Sequence, residues 1–510
     1  NDLICLILTY KPFFVKGGKF FFAPLKIRLP PRPFCGVFCA KRDKKRVKLV
    51  LNAKNFASVY CYFRRIAVYL IYMKSIKKFS GKKITAVTAI IACVIILGVV
   101  LGACAQGTSS SQWVADTISR YYYTDVEIND ADSLSPSEIV SKYLDEYSAY
   151  YTAQEYAELL YGNAGNSVSY GAGLVFLPGE GAVVITCTGN SPAWKSGIRV
   201  GDVIYSAIID GKELVIDSAE DLSAFTAATS DGTCTTFYLA SGLRVDLEEY
   251  SQYKQSYVLI ATDSSAWYFT YDGLTMQESA SDAIPSLPDG TAYICLSEFS
   301  GDAATQFQFA AEKFNSLGCD TLILDLRSNP GGELDITGQI AACFENVAGK
   351  TLLTAKGKSV DDTYTCPSAE SRFTIKSGVE VKVMANSGTA SASEVLMGAL
   401  LDYGVISYSD IYLSSYGEEY LALAGEGART EQTYGKGCMQ YIIPNSQTGE
   451  ALRLTAAILY WPDGNCINDR GITKADGCNT VSAPYPSHAV NTEVEQVISA
   501  ISQDSTAAAA

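Results

Sequence analysis

The chain has 510 residues, 48% hydrophobic and 18% charged, which excludes a mainly disordered protein and leaves room for several domains with a substantial core. Its net charge of -14 hides a division: residues 1–83 hold 20 of the 40 Lys and Arg but only Asp2 and Asp43 of the 54 acids, so 20 basic and 52 acidic side chains lie beyond. That large acidic part has no basic patch, which argues against nucleic acid as its partner.

Residues 1–72 mix aromatics, prolines and basic runs such as Lys41-Arg42-Asp43-Lys44-Lys45-Arg46 without a sustained period. They read as upstream sequence translated in frame or as a cytoplasmic arm, and carry no assigned function. From Met73 a basic flank (73–83) leads into Ile84–Ala105, an uncharged stretch rich in Ile, Val, Leu and Ala. Basic residues before some twenty apolar ones read as a signal-anchor with the basic side in the cytoplasm. Leu101-Gly102-Ala103-Cys104 also has the form of a bacterial lipobox, whose cleavage would leave a lipidated Cys104. Either route places residues 106–510 on the outer face of a bacterial cell membrane.

Residues 112–165 are predicted as a small helical element. Trp113, Ile118, Tyr121 and Tyr122 share a face, and Ser135-Pro136-Ser137-Glu138 reads as a helix start. From about Ser167 the pattern changes to short apolar runs broken by glycine. Ala182–Cys187 is predicted as a strand, Ser191–Gly197 as a short helix ended by glycine, and Gly201-Asp202-Val203-Ile204 as the turn into another strand. The run "SPAWKSGIRVGDVI", with Gly171-Ala172-Gly173-Leu174 ahead of it, resembles a PDZ domain over 167–250. The resemblance implies that Gly171, Ala172, Gly173 and Leu174 form a loop for a peptide carboxylate. Glycines let successive N–H groups converge on such an anion, and an adjoining strand edge can accept a peptide.

Residues 251–290 read as transitional. From 291 to about 482 apolar strands alternate with helices, predicting a mixed α/β domain. A tail, 483–510, carries a short helix over Thr492–Gln503 and a frayed end. Nine cysteines lie beyond Cys104 without a C-x-x-C pair, and His488 is the only histidine, so no zinc site of usual spacing can be written and no cofactor is expected. An outer location would permit a disulfide such as Cys466–Cys478, although burial as small apolar residues is the commoner fate of cysteine.

Three motifs fall at turns of the α/β domain. Leu324–Gly332 ("LDLRSNPGG") runs from a strand into a Pro-Gly-Gly turn, which is a tight connection and also a place where backbone N–H groups can meet an oxyanion. Gly388–Glu394 ("GTASASE") opens a helix; Ser391 or Ser393 could cap it, and the same position exposes a hydroxyl at a positive helix end. Thr433–Gln440 ("TYGKGCMQ") holds a lysine between glycines, a common solvated turn, yet its apolar flanks would draw Lys436 into a site and lower its pKa.

In this order, with "LDEYSAYYTAQEYAELL" and "ILYWPDGNCINDRGI", the motifs resemble the C-terminal processing peptidases, or tail-specific proteases, over roughly residues 112–480. The resemblance implies Ser391 as nucleophile, Lys436 as general base and Gln440 as its support. Oxyanion donors would be the N–H of Ala392 and of Gly331 or Gly332. It also implies a crotonase/ClpP-like core beside the PDZ domain, and protein substrates with flexible apolar C-termini. Composition agrees: a Ser-His-Asp enzyme needs a histidine, and His488 lies in a Pro-rich tail. One departure is an extra hydrophilic stretch, Leu413–Thr430, between serine helix and lysine turn, expected as a surface loop. Rival readings are a non-catalytic scaffold binding C-terminal tails and a crotonase-like acyl-CoA enzyme; the intact Ser391, Lys436 and Gln440 favour the peptidase.

Overall fold

The computed structural model describes residues 109–510 except 164–165, 168–169, 178, 180, 232–233, 248–252, 271–274, 280–281, 369, 418–428, 484–489 and 509–510. The predicted membrane segment 84–105, Cys104 and His488 lie outside them. Among the described residues no helix is long and apolar enough to cross a membrane.

Helix α1 (Ser110–Tyr121) is followed by α2 (Pro136–Tyr143), which starts where its capping box predicts: the Glu138 carboxylate accepts the Ser135 N–H at 2.8 Å. These helices are no separate element. Val114, Ile118, Ile139 and Val140 are buried in the main core, and strand β1 (Ala149–Tyr151), which the local pattern does not predict, pairs with the core sheet. Tertiary pairing overrides local pattern there, since three residues are too few to show a period. Helix α3 (Ala153–Asn163) leads away to the next sheet.

That sheet comprises β2 (Ala172–Leu177), β3 (Gly181–Cys187), β4 (Val203–Ile209), β5 (Lys212–Val215), β6 (Cys234–Leu239) and β7 (Arg244–Asp246). Its order is β2-β3-β4-β6-β7, with β5 on β4, so β2 is an edge. Helices α4 (Pro192–Lys195) and α5 (Ala219–Asp231) accompany it, and it has its own core around Ile204, Phe225 and Phe237. It meets the rest of the chain through the Trp194–Tyr268 ring contact at 4.1 Å and the Arg199–Asp282 ion pair at 2.8 Å.

Residues 251–290, expected to be transitional, are largely part of the central sheet. Strands β8 (Val258–Ala261), β9 (Ala266–Thr270) and β10 (Thr275–Ser279) form its antiparallel side, adjoining parallel β11 (Thr291–Leu296) and β12 (Thr321–Asp325). A smaller sheet receives β13 (Thr351–Lys356) and β14 (Asp361–Thr365), while β15 (Glu380–Ala385) and β16 (Ile411–Tyr416) extend the parallel side. Strands β17 (Cys438–Pro444) and β18 (Ala451–Tyr460) join the smaller sheet, and β19 (Asn479–Ala483) closes the large one, ordered β10-β9-β8-β11-β12-β15-β16-β19. Helices α6 (Ala303–Leu317), α7 (Leu334–Ala341) and α8 (Ala392–Asp402) pack between the sheets, giving a mixed α/β fold. The predicted tail is instead a longer helix, α9 (Val490–Ala508), docked through Val494, Val497, Ile498 and Ile501. Its apolar positions recur at helical spacing, which burial converts into stability.

Candidate active site

Neighbouring parallel strands β12 and β15, paired Asp325 to Met384, deliver the first two motifs side by side at their carboxyl ends. All five residues of β12 and the following Leu326 are buried, so the chain leaves the core only after Leu326. The two turns are bonded to each other. Thr389 Oγ1 donates to the Leu326 carbonyl at 2.8 Å, the Ala390 N–H to the Asn329 carbonyl at 3.0 Å, and Ser393 Oγ to that same carbonyl at 3.0 Å. Ser393 is fully buried and committed to this bond, whereas Ser391 is half-buried at the start of α8. Ser391 holds φ 55° and ψ -115°, a left-handed conformation unusual for serine that sets its side chain apart from the helix.

The glycine pair sits against this serine. A methyl on Gly331, at φ 98°, would lie 2.7 Å from the Ala392 nitrogen and 2.8 Å from Ser391 Cβ, so only glycine permits the approach. The structure separates the two predicted donors. The Gly331 N–H is taken by Asn329 Oδ1 at 2.9 Å, while no acceptor for the N–H of Gly332 or Ala392 occurs among the described residues.

Lys436 arrives from the other side, on the loop before β17, which docks on the serine turn. The Tyr434 N–H donates to the Thr389 carbonyl at 2.9 Å. Glu394, to which the sequence motifs assign no role, joins the parts. Its Oε2 accepts the N–H of Ser391 and of Lys436, each at 2.9 Å; its Oε1 accepts Thr433 Oγ1 at 2.6 Å and the Gly435 N–H at 2.8 Å. Burial pushes this carboxyl up, against four donors that favour its charged form. Its position three residues after a helix-start serine is a capping-box signal, but its burial could not be read from spacing.

Burial also holds the Lys436 amine below its ordinary value; Arg453 adds to that, while Cys438, Asp145 and Glu394 oppose it. The ammonium lies 5.0 Å from the ring centre of Tyr147, another unforeseen contact, supplied by the loop between α2 and β1. Among the described residues no hydrogen bond joins the Ser391 and Lys436 side chains. Gln440 does not reach Lys436 either: its Nε2 points to Cys438 Sγ at 3.2 Å and Thr455 Oγ1 at 3.4 Å. Residues two apart on a strand share a face, which brings Gln440 onto Cys438.

The hydrophilic insertion leaves the lysine motif in place. Residues 413–416 complete β16, 418–428 lie outside the described residues, and the chain returns beside its departure, the Glu431 N–H bonding the Ser414 carbonyl at 3.0 Å. Arg429 then donates to the Tyr434 carbonyl.

Gly171 precedes the edge strand β2, and Ala172, Gly173 and Leu174 lie within it. Gly171, at φ +83°, packs so closely on Ser191, the cap of α4, that a methyl would fall 2.1 Å from Ser191 Cβ. Helix α5 runs along β2 with Phe225 against Tyr170. Among the described residues β2 thus lies at the edge of its sheet, with a helix against it. Cys466 and Cys478, expected as a possible disulfide pair, are both free thiols.

The profile of peptidase family S41 matches residues 290–407, which include both the Pro-Gly-Gly turn and Ser391. The chloroplastic C-terminal processing peptidase of Tetradesmus obliquus is 28% identical over 336 residues, 64% of each chain. A protein of Staphylococcus epidermidis described as a CtpA-like serine protease is 26% identical over 364 residues, 71% of this chain and 63% of that one. The matched part therefore spans less than two thirds of these relatives' own length. Among solved structures, a photosystem II D1 C-terminal processing protease aligns with TM-score 0.43 and 20% identity, over 77% of this chain and 97% of that one. Residues 290–407 thus carry a peptidase family S41 domain, and the chain is similar to C-terminal processing peptidases.

Proposed function

We propose that the protein is a serine endopeptidase that attacks proteins with flexible apolar C-termini, with Ser391 as nucleophile and Lys436 as general base. The observation that carries this reading is the buried Glu394 carboxylate, which ties the backbone of Ser391 and of Lys436 to one oxygen and so makes the two motifs parts of one site. Neutral Lys436 takes the hydroxyl proton of Ser391 as the oxygen attacks the substrate carbonyl. The N–H groups of Ala392 and Gly332 receive the oxyanion of the tetrahedral intermediate. Lys436 then passes its proton to the departing amine, and water, deprotonated by the same lysine, releases the acyl group from Ser391. Gln440 acts on the lysine through Cys438.

Capture of the tail falls to the PDZ-like sheet. Its edge strand β2 can accept an added strand, and the Gly171–Leu174 segment can present N–H groups to the terminal carboxylate. The apolar segment 84–105 would hold the enzyme at the membrane with its catalytic part outside the cytoplasm.

The test is turnover of an unstructured protein with an apolar C-terminus by wild type, Ser391→Ala and Lys436→Ala. Cleavage by wild type alone is expected. Equal cleavage by either variant would remove the dyad, and binding of the tail without cleavage by wild type would make the protein a scaffold.

A further inference from the structure

We propose that Glu493, on the C-terminal helix α9, is a positioning residue for the oxyanion turn and acts through Arg327. The proposal rests on the reading of Ser391 as nucleophile and of the 326–332 turn as part of its oxyanion site. Arg327 follows β12 directly. Its Nε lies 3.0 and 3.1 Å from the two oxygens of Asp325, its Nη2 lies 2.6 Å from Asp325 Oδ2, and its Nη1 reaches Glu493 Oε2 at 2.5 Å. Asp325 also accepts the Arg327 N–H at 2.9 Å and the Tyr293 hydroxyl at 2.5 Å. The second oxygen of Glu493 accepts Ser414 Oγ.

Stability of the helix does not explain this carboxylate. Val494, Val497, Ile498 and Ile501 already supply the apolar face of α9, and a buried ion pair is often no better for stability than apolar residues of similar size. Among the described residues Arg327 pairs with two buried carboxylates, Asp325 and Glu493. What Glu493 adds is direction. Asp325 binds Nε and Nη2 and Glu493 binds Nη1, so the two carboxylates together engage all three guanidinium nitrogens. The next residue, Ser328, enters the left-handed region at φ 57° and donates its N–H to Asn386 Oδ1 at 2.8 Å. Asn329 then holds Gly331, which lies against Ser391. Arg327 thus stands within five residues of the glycine pair, on the same turn.

The experiment compares wild type with Glu493→Ala, Glu493→Gln and Ile501→Ala, the last a buried contact of the same helix remote from Arg327. Steady-state kinetics on an unstructured protein and hydrogen exchange over residues 326–332 are both measured. Glu493→Ala is expected to lower kcat about tenfold or more with KM held within about threefold, and to quicken exchange in 326–332. Glu493→Gln, which keeps an acceptor for Arg327, should recover part of the loss. Ile501→Ala should lower Tm but leave kcat and that exchange as in wild type. Wild-type kcat and exchange in Glu493→Ala would overturn the proposal, as would an equal loss of kcat in Ile501→Ala. Should Glu493→Ala not fold, Glu493→Gln decides by the same two measurements. If wild type turns over no protein, the peptidase reading fails, and the exchange comparison alone judges the role of Glu493.

Discussion

Ser391 and Lys436 donate their backbone N–H groups to the same oxygen, Oε2 of Glu394, each over 2.9 Å. The nucleophile turn and the base turn are therefore not independently placed, although 44 residues separate them in the sequence and part of that interval is an unusual insertion. A glutamine at 394 would match the carboxylate in shape but could keep only one oxygen. With that oxygen toward Ser391 and Lys436, its NH2 group would face the Gly435 N–H, which cannot turn to accept. Glu394→Gln is expected to lose about 1–3 kcal/mol of stability by denaturant unfolding and to lower kcat by about 10- to 100-fold. Wild-type kcat in that variant would show that the shared acceptor does not align the pair.

The lowered pKa of Lys436 has a sign in both rate and stability. In the proposed mechanism the neutral amine is the working form, so kcat/KM should rise with pH and level off below 10.5, the ordinary lysine value, on a pH–rate profile. Because the folded chain releases this proton before the unfolded chain does, the group's contribution to stability rises with pH between the two values and is least favourable at low pH. Lys436→Met removes a buried amine while keeping most of its stem. It should abolish turnover yet raise Tm by about 2–4 °C at pH 7 in calorimetry. A fall in Tm would mean that the contact with Tyr147 outweighs the cost of burying the charge.

The capped or glycine-marked parts of this fold were legible in the sequence: the capping box at Ser135 and the turns at Pro330-Gly331-Gly332 and Gly435-Lys436-Gly437. What escaped was what depends on distant partners. Residues 149–151 are a strand only because β18 lies beside them, and 258–279 belong to the sheet only because β11 pairs with β8. In the site, Ser391 and Lys436 carry their own motifs, whereas Glu394 and Tyr147 act by position in space. Gln440 shows the converse: the family resemblance implied that it supports Lys436, but its side chain meets Cys438 instead.

The two glycines of the oxyanion turn should differ in what a methyl does. On Gly331 it would fall between the Ala392 nitrogen and Ser391 Cβ, in the space the oxyanion donor needs. On Gly332 it would strike the Phe299 carbonyl oxygen at 2.2 Å, away from the serine. Gly331→Ala should therefore lower kcat by about 100- to 1000-fold with a folded protein, as when a principal donor is lost. Gly332→Ala should act first on stability, because the Phe299 carbonyl also receives the Glu333 N–H at 2.8 Å and anchors the turn. Circular dichroism melts alongside kcat separate the two. Equal loss of kcat at unchanged Tm in both would refute the division.

The proposed tail capture can be separated from the proposed chemistry, because β2 belongs to a different sheet from the strands that flank Ser391 and Lys436. Ala at 171 would place a methyl 2.1 Å from Ser191 Cβ at a φ of +83°, so the segment before β2 must shift and its N–H groups lose their common aim. The clash is with Ser191, the cap of α4, whereas the Glu394 network does not include residue 171 or Ser191. For a substrate with a free apolar C-terminus, Gly171→Ala should raise KM about tenfold while kcat stays within about twofold. The same substrate with an amidated C-terminus lacks the carboxylate, so wild type should already show the higher KM and the variant should add nothing to it. A variant that raises KM equally for both substrates would have damaged the sheet as a whole. An unchanged KM for the free tail would place capture elsewhere than at Gly171–Leu174.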